Sequence, residues 1–269
     1  MARPFILRSQ PAEPFALPND EVHVWYASRR CEASEVKKLS EYLDEAERGR
    51  AERFHFKEDG QGFIIARGLL RLLLSRYLKL SPERLRFDYN PYGKPAVAAD
   101  SSGSDIRFNL SHKGGLILYA FCVGREIGID VEQLRAELDI LSIARSYFSD
   151  AEVARLGSLP AGMRRRGFFN AWARKEAYIK ALGRGLSQPL NQFEVSLAPG
   201  EPARLLRAAH DDREVMRWRL LELPVGQEYA AAIAVEGFNW RDKQFVWKRG
   251  DVRPLPAEGV ATLYFDDCD

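Results

Sequence analysis

The stretch from residue 167 to residue 183 constrains the fold most, because it predicts one amphipathic helix with charges on a face that should be apolar. It is rich in alanine, lacks proline and ends at Gly183, as a capped helix does. Trp172, Glu176 and Lys180 are spaced four apart and therefore lie above one another on one face. An exposed Glu–Lys pair has the same spacing, so a functional site and a surface salt bridge both remain open.

The composition bounds the class of protein. The 269 residues, 46% of them hydrophobic, can bury a large core and predict one or two lobes. A net charge of +2 gives no general attraction to nucleic acid or membrane. The 3 cysteines lack disulfide or zinc spacing, no signal-peptide pattern opens the chain, and the longest apolar run, 116–123, is too short to span a bilayer. We therefore expect a soluble, cytoplasmic protein.

The first third of the chain predicts an irregular segment (1–20), a strand (22–26) and then helix over 31–58 and again over 62–80. The first helical stretch carries a cluster of arginines: Arg48, Arg50 and Arg53. Such a cluster is typical of a solvated helix face and sometimes of an anion-binding surface.

A stiff loop follows, in which Gly93, Lys94 and Pro95 join two extended segments. A lysine held there can meet a phosphate, although an ordinary turn with an exposed lysine gives the same pattern. Beyond it, 106–110 predicts a strand that runs into Ser111 and His112, followed by two glycines.

A serine, a histidine and two glycines at a strand end can present hydroxyl, imidazole and backbone N–H groups to an anion. A Ser–His hydrolase is not expected, because no serine lies in a Gly-x-Ser-x-Gly elbow. Ser111 and His112 are adjacent on the strand and therefore point to opposite faces.

Residues 116–123 and 126–132 predict two strands of one hairpin, joined by a turn at 124–125. In the second strand, alternation places Asp130 and Glu132 on the face opposite the apolar residues, with Gly128 leaving room beside them. Two carboxylates about 6–7 Å apart repel each other, and a shared divalent cation would relieve that repulsion. Their oxygen ligands favour Mg²⁺ over zinc, although an exposed strand face often carries the same pair.

The rest of the chain predicts helix over 134–166, broken at a capping box of Ser149 and Glu152, and then strands at 193–197, 216–223 and 229–235 of a second antiparallel sheet.

In both halves of the chain a long helix is followed by a glycine-containing loop and a strand. This order predicts an α+β fold of two pseudo-symmetric lobes, each a small antiparallel sheet packed on a long helix, with the active site in the cleft between them. The expected division is an irregular segment, an N-terminal lobe, a C-terminal lobe and a C-terminal extension: 1–20, 21–115, 116–240 and 241–269.

Four stretches occur in an order that resembles the 4′-phosphopantetheinyl transferases, specifically the long type that activates surfactin synthetase. They are residues 92–95 (YGKP), 108–112 (FNLSH), 127–132 (IGIDVE) and 172–180 (WARKEAYIK). The resemblance covers about residues 45–200. It implies a monomeric enzyme that uses Mg²⁺ to transfer the phosphopantetheine arm of coenzyme A to a serine of an apo acyl, peptidyl or aryl carrier protein, releasing adenosine 3′,5′-bisphosphate.

The resemblance also implies roles for individual residues. Asp130, Glu132 and Glu176 would hold the metal, and Glu176 would also act as the base. Lys180 would protonate or neutralise the leaving group. The other expected contacts to coenzyme A come from Arg50, Gly93, Lys94, Pro95, Ser111, His112 and Lys175.

The resemblance matches Arg50 to a basic position used for the 3′-phosphate. Relatives often place another arginine shortly after Glu58 and Asp59, where this sequence has Gly60-Gln61-Gly62. Without the resemblance, the residues predict only a Mg²⁺-dependent phosphate-transfer site. Two alternatives remain open: a Mg²⁺-dependent hydrolase of coenzyme A or nucleotide pyrophosphates, and a non-catalytic binder of carrier proteins.

Overall fold

The computed structural model describes residues 15–99, 103–208, 211, 213–248 and 251–254. Within these ranges the helices are α1 (Ala33–Glu41), α2 (Glu45–Glu52), α3 (Lys57–Leu78), α4 (Ile140–Tyr147), α5 (Asp150–Ser158), α6 (Ala161–Leu182) and α7 (Arg213–Arg217). The strands are β1 (Glu21–Ser28), β2 (Phe87–Tyr89), β3 (Pro95–Val97), β4 (Ile106–Lys113), β5 (Leu116–Val123), β6 (Ile127–Gln133), β7 (Phe193–Val195), β8 (Leu205–Ala208), β9 (Trp218–Glu222), β10 (Tyr229–Glu236), β11 (Arg241–Lys248) and β12 (Asp251–Pro254).

Two main sheets organise these elements. The first has five strands in the order β12-β11-β1-β5-β4, and the second has three strands in the order β6-β10-β9. The second sheet is antiparallel, whereas the first is mixed because β1 and β11 run parallel. Two small ribbons, β2–β3 and β7–β8, lie apart from them.

The core shows that the two main sheets pack face to face. Along β1, Trp25 and Ala27 belong to an apolar cluster that includes α3, whereas Val24 and Tyr26 belong to a cluster shared with β6 and β10. The opposite face of the three-stranded sheet packs on α6 through small side chains of β10: Ala230, Ala232 and Ala234. The layers are therefore α3, the five-stranded sheet, the three-stranded sheet and α6, which confirms the predicted α+β class.

The predicted hairpin of residues 116–123 and 126–132 is wrong. β5 pairs with β4 and β1 in the first sheet, whereas β6 pairs with β10 in the second. The hairpin turn lies instead at Gly114, whose φ of 56° suits a glycine, and His112 pairs with Ile117 across it. β5 is buried along nearly its whole length, as a central strand should be, and the chain crosses from one sheet to the other just after it.

Three other expectations about secondary structure differ from the structure. The helix expected over 31–58 is divided, since Asp44 caps a new helix, α2, by accepting a hydrogen bond from the Glu47 N–H group. The segment that begins at Phe193 pairs with β8 rather than joining the second sheet, and Met216 lies in α7 rather than in a strand. The predicted capping box of Ser149 and Glu152 is confirmed.

The strand β11 begins the segment that we expected to be a C-terminal extension, 241–269. It pairs in parallel with β1 from Glu21↔Arg241 to Ala27↔Trp247, so the first sheet draws one of its inner strands from the end of the chain. Long-range parallel pairing of this kind leaves little trace in local sequence patterns. Residues 255–269 lie outside the described residues.

Candidate functional site

The contact between β6 and α6 depends on Gly128. A Cβ atom at this position would lie 2.1 Å from the carbonyl oxygen of Ala177 and 2.3 Å from the backbone nitrogen of Ala181. Only glycine permits so close an approach of a strand to a helix. The space that we expected beside the carboxylates is thus filled by helix backbone, and the acidic face of β6 lies directly against the charged face of α6.

The predicted face of α6 is present. From residue 167 to residue 181, every residue is buried except Trp172, Glu176 and Lys180, which are each partly exposed. The rest of this stretch packs into the core, mainly through alanines and aromatic rings. A row of three partly exposed residues on an otherwise buried helix marks the side that borders solvent and β6.

Three polar side chains meet where α6, β4 and β6 come together. Asp130 Oδ1 accepts hydrogen bonds from Lys180 Nζ at 2.7 Å and from the Ser111 hydroxyl at 2.9 Å. Lys180 Nζ also donates to Ser111 Oγ at 3.0 Å. The second oxygen of Asp130, Oδ2, is buried and has no hydrogen-bond partner among the described residues. A buried carboxylate oxygen without a partner is costly unless a ligand satisfies it.

Two further carboxylates flank this cluster. Glu132 lies 3.1 Å from the ammonium of Lys113. Burial raises the pKa of Glu132, and the negative charge of Asp130 raises it further. Burial likewise raises the pKa of Glu176, and Asp130 and Glu132 add to this shift while Lys180 opposes it. The three carboxylates therefore influence one another electrostatically.

Strand β4 contributes a residue that the sequence analysis missed. The Asn109 side-chain oxygen accepts the N–H group of Ile129 at 2.9 Å, which ties β4 of the first sheet to β6 of the second. Asn109 is buried and lies two residues before Ser111, so both face β6. The same alternation that separated Ser111 from His112 would have identified Asn109.

His112 lies on the other face of β4, the side that carries Phe108 and packs toward α3, and its side chain is exposed. Partial burial lowers its pKa, and the positive charges of Arg29 and Lys180 lower it further, while Asp59 opposes them. The imidazole is therefore close enough to Arg29, Asp59 and Lys180 for their charges to act on it.

The loop that carries Lys94 docks on the C-terminal end of α6. Lys94 Nζ donates to the carbonyl of Ala181 at 2.9 Å and pairs with Glu126 at 2.9 Å. The Asn90 side chain donates to the carbonyl of Gly183 at 2.6 Å. A cation here is favourable because the last carbonyls of a helix lack helical partners. Lys94 is thus already paired, and any phosphate would have to compete for it.

Lys175 does not lie in the site. Its ammonium is completely buried in the core, 2.7 Å from Glu152, and donates to the carbonyls of Leu190 and Phe193. Glu152, noted from the sequence as a helix cap, therefore has a second role as the partner of a buried cation. We correct the expectation that Lys175 contacts a phosphate, because its charge is neutralised inside the protein.

Arg50 lies on α2, exposed, with its guanidinium 5.2 Å from the centre of the Phe63 ring. Its charge has no carboxylate partner within the part of the chain that the structure describes. Arg50 can therefore bind an anion, which is one of the two roles that the sequence predicted for the arginine cluster.

A cavity of about 150 Å³ opens beside Glu132 and Trp172. Two cations, Lys113 and Arg135, also line the cavity. The rest of its lining is apolar: Leu138, Ile143, Phe168 and Phe169. The carboxylate face of β6 thus continues into an apolar space.

The carboxylates of Asp130, Glu132 and Glu176 have the right chemistry to bind a divalent cation, but their side chains do not converge on one point. Among the described residues, no three His, Cys, Asp or Glu side chains are placed closely enough to hold an ion as they stand. A cation would nevertheless satisfy the partnerless oxygen of Asp130 and reduce the repulsion that raises the pKa values of Glu132 and Glu176.

None of the helices in the described ranges is long and apolar enough to cross a membrane.

Comparison with known proteins gives a consistent result. A family model described as "4′-phosphopantetheinyl transferase superfamily" matches residues 126–234, and one described as "4′-phosphopantetheinyl transferase, N-terminal" matches residues 27–123. The chain is 40% identical to the 4′-phosphopantetheinyl transferase HetI of Nostoc sp. over 84% of this chain and 92% of the relative.

Two more distant relatives are also described as phosphopantetheinyl transferases. The chain is 32% identical to the 4′-phosphopantetheinyl transferase Sfp of Bacillus subtilis, over 64% of this chain and 74% of the relative. It is 26% identical to the human L-aminoadipate-semialdehyde dehydrogenase-phosphopantetheinyl transferase, over 82% of this chain and 75% of the relative.

Proposed function

The chain belongs to the 4′-phosphopantetheinyl transferases, and we propose that it transfers the phosphopantetheine arm of coenzyme A to a serine of an apo acyl, peptidyl or aryl carrier protein. Adenosine 3′,5′-bisphosphate is the other product, and Mg²⁺ is required. The observation that carries this proposal is the meeting of Asp130, Ser111 and Lys180 beside Glu176. In this proposal the enzyme is a cytoplasmic monomer, and the site lies in a cleft between two pseudo-symmetric lobes.

Asp130, Glu132 and Glu176 would hold Mg²⁺. When bound, the ion supplies positive charge to the pyrophosphate oxygens of coenzyme A. The support from this chain is the partnerless Oδ2 of Asp130 and the all-oxygen character of the three side chains, which suits Mg²⁺. Lys113, which pairs with Glu132, would keep that carboxylate oriented until the ion binds.

Glu176 would take the proton from the carrier serine. A general base works best when its pKa lies near the working pH, and burial together with two neighbouring carboxylates raises the pKa of Glu176 in that direction. Its position between Trp172 and Lys180 on α6 places it on the solvent border, where the serine of a partner protein can arrive.

Lys180 would neutralise or protonate the leaving phosphate. Its ammonium is held by Asp130 and Ser111, yet its side chain keeps 29% of its surface exposed. A donor that is fixed in place but still open to a ligand stabilises developing negative charge without having to reorganise.

The remaining contacts to coenzyme A would come from residues around β4 and the two adjoining loops. His112 and Arg50 would bind phosphates, since both side chains are exposed and Arg50 has no carboxylate partner among the described residues. Ser111 and the Gly93-Lys94-Pro95 loop would border the nucleotide end. The pantetheine chain would lie in the cavity beside Glu132.

The test is an incubation of the protein with an apo carrier protein, coenzyme A and Mg²⁺, followed by intact-mass measurement of the carrier. We expect the mass to rise by one phosphopantetheine group, with no change in EDTA or with a carrier whose acceptor serine is alanine. Consumption of coenzyme A at the same rate without any carrier would identify a pyrophosphate hydrolase instead. Binding of the carrier without a mass change would identify a non-catalytic binder.

A further inference from the structure

The side of α3 that faces β1 has a gap filled by a residue from elsewhere in the chain. A Cβ atom at Gly62 would lie 2.1 Å from Nε and 2.3 Å from Nη2 of Arg29, well inside the 3.0 Å that real Cβ atoms keep. Arg29 follows the last residue of β1, Ser28, so its guanidinium reaches across to lie on the helix backbone at Gly62. Any larger residue at position 62 would displace it.

Arg29 is held in this position from two sides. Its backbone N–H group donates to the carbonyl of Gly115 in the β4–β5 turn at 2.8 Å. Its Nη2 donates to Asp59 on α3 at 3.0 Å, in a pair whose side chains are 23% and 48% exposed. Asp59 is the one hydrogen-bond partner that the described residues give to this guanidinium. A guanidinium has five N–H donors, so most of them can still bind a ligand.

The guanidinium shares a corner of the protein with His112. The backbone of Arg29 bonds to Gly115 in the β4–β5 turn, three residues after His112. The positive charge of Arg29 contributes to lowering the pKa of His112, as do those of Lys180 and Lys113, and Asp59 alone opposes them. Of these cations, Lys180 and Lys113 already pair with Asp130 and Glu132, whereas Arg29 pairs, among the described residues, only with Asp59, which is half exposed.

We propose that Arg29, whose guanidinium fills the gap at Gly62, binds a phosphate group of coenzyme A next to His112. The inference rests on the proposed function, because coenzyme A is the ligand. A planar guanidinium fixed by one carboxylate is suited to bind phosphate oxygens through two parallel N–H groups. The Asp59 pair sets the direction of the side chain and leaves the other N–H groups of the guanidinium available to phosphate oxygens.

Calorimetric titration with coenzyme A and with its 3′-dephospho form tests the contact. We expect Arg29→Ala to weaken binding of coenzyme A by about 10- to 100-fold, the range for one charge-assisted hydrogen-bonding group. Arg30→Ala is the matched control, since it removes the same charge from the next residue, which is exposed, and should change affinity less than about twofold. A loss confined to coenzyme A places Arg29 on the 3′-phosphate, and an equal loss for both ligands places it on the pyrophosphate.

A relocation variant separates a ligand contact from a structural role. Adding Gly62→Arg to Arg29→Ala returns a guanidinium to the same corner from α3, and we expect it to restore at least part of the lost affinity. The inference would be overturned if Arg29→Ala bound both ligands as tightly as Arg30→Ala does. It would also be overturned if Arg29→Ala lost affinity together with a lowered Tm and the added Gly62→Arg did not restore the affinity. Either result would contradict only the role of Arg29 if the wild-type protein still modifies the carrier. Absence of transfer by the wild-type protein would contradict the proposed function.

Discussion

The ammonium of Lys180 lies 2.7 Å from Oδ1 of Asp130, a contact that joins the last turns of α6 to the middle of β6. The other oxygen of the same carboxylate is buried without a partner among the described residues. The contact exists because Gly128 brings the helix against the strand two residues earlier. Oδ1 of Asp130 thus positions Lys180, whose ammonium can stabilise a developing anion, while Oδ2 is available to a cation.

Asp130→Ala should abolish Mg²⁺-dependent transfer while the protein stays folded. The change removes the oxygen that accepts from Lys180 and Ser111. Because Lys180 is partly solvated and still donates to Ser111, we expect a loss of only about 1–3 kcal/mol in stability. Glu132→Ala should behave in the same way. Transfer to a carrier protein and thermal unfolding, each with and without Mg²⁺, measure the two effects. The control is Asp105→Ala, which removes an exposed carboxylate paired with Arg107 on β4. Full activity of both site variants in EDTA would contradict the assignment.

Lys175→Met should act on stability alone. It leaves Glu152 buried and unpaired, which typically costs about 3–5 kcal/mol. Lys175→Met with Glu152→Gln should recover part of that loss, because the buried charge is then gone. Denaturant unfolding gives the stabilities, and transfer per folded molecule should match wild type. A stable Lys175→Met protein with weakened affinity for coenzyme A would return Lys175 to the site.

Binding of coenzyme A should take up a proton through His112. Partial burial, with the charges of Arg29 and Lys180, holds the pKa of His112 below its ordinary value of 6.5 in the free protein. A phosphate against the ring raises that pKa. Between the two values the complex binds more protons than the free protein, so affinity rises as pH falls through this window.

Titration calorimetry in buffers of different ionisation enthalpy measures this uptake. His112→Gln should lose it and retain only the contribution of the phosphate itself. Equal uptake by wild type and His112→Gln would show that the imidazole does not meet a phosphate.

Local patterns predicted the elements of the site but not how they assemble. The four-residue spacing on α6 and the alternation on β6 gave the correct faces for Glu176, Lys180 and Asp130, because both periods are properties of a single element. The assembly rests on contacts between distant segments, such as the pairing of Trp25 with Phe245 in parallel strands. No local pattern reports such a partner.

The errors have the same origin. Residues 116–132 predicted a hairpin because the turn looks local, whereas the chain uses it to change sheets. Lys175 sits one residue from Glu176, yet it turns into the core to meet Glu152, and only the fold shows that this partner is near. The role of Arg29 depends on the absence of a side chain at Gly62, which the sequence presented only as a departure from a pattern.

The face of α6 that carries Glu176 and Lys180 must be distinguished from an ordinary salt-bridged surface. Were it only structural, Glu176→Gln would shift stability by roughly 0.5 kcal/mol and Lys180→Ala by about 1–3 kcal/mol, because it removes the cation bound to Asp130, and both would leave turnover intact. As catalytic groups, each change should lower kcat by on the order of 10²-fold or more, with no greater loss of stability than this. Arg107→Ala, which removes an exposed salt bridge on β4, is the control and should change neither.

The most direct measurement is the single-turnover rate of phosphopantetheine transfer by Lys180→Arg at saturating coenzyme A, followed by intact mass of the carrier. The substitution keeps the positive charge but moves the donor, and a guanidinium does not readily give up a proton. We predict a protein that folds and binds coenzyme A like wild type but transfers the arm on the order of 10²-fold more slowly. Wild-type rates in both Lys180→Arg and Lys180→Ala would contradict a catalytic role for this helix.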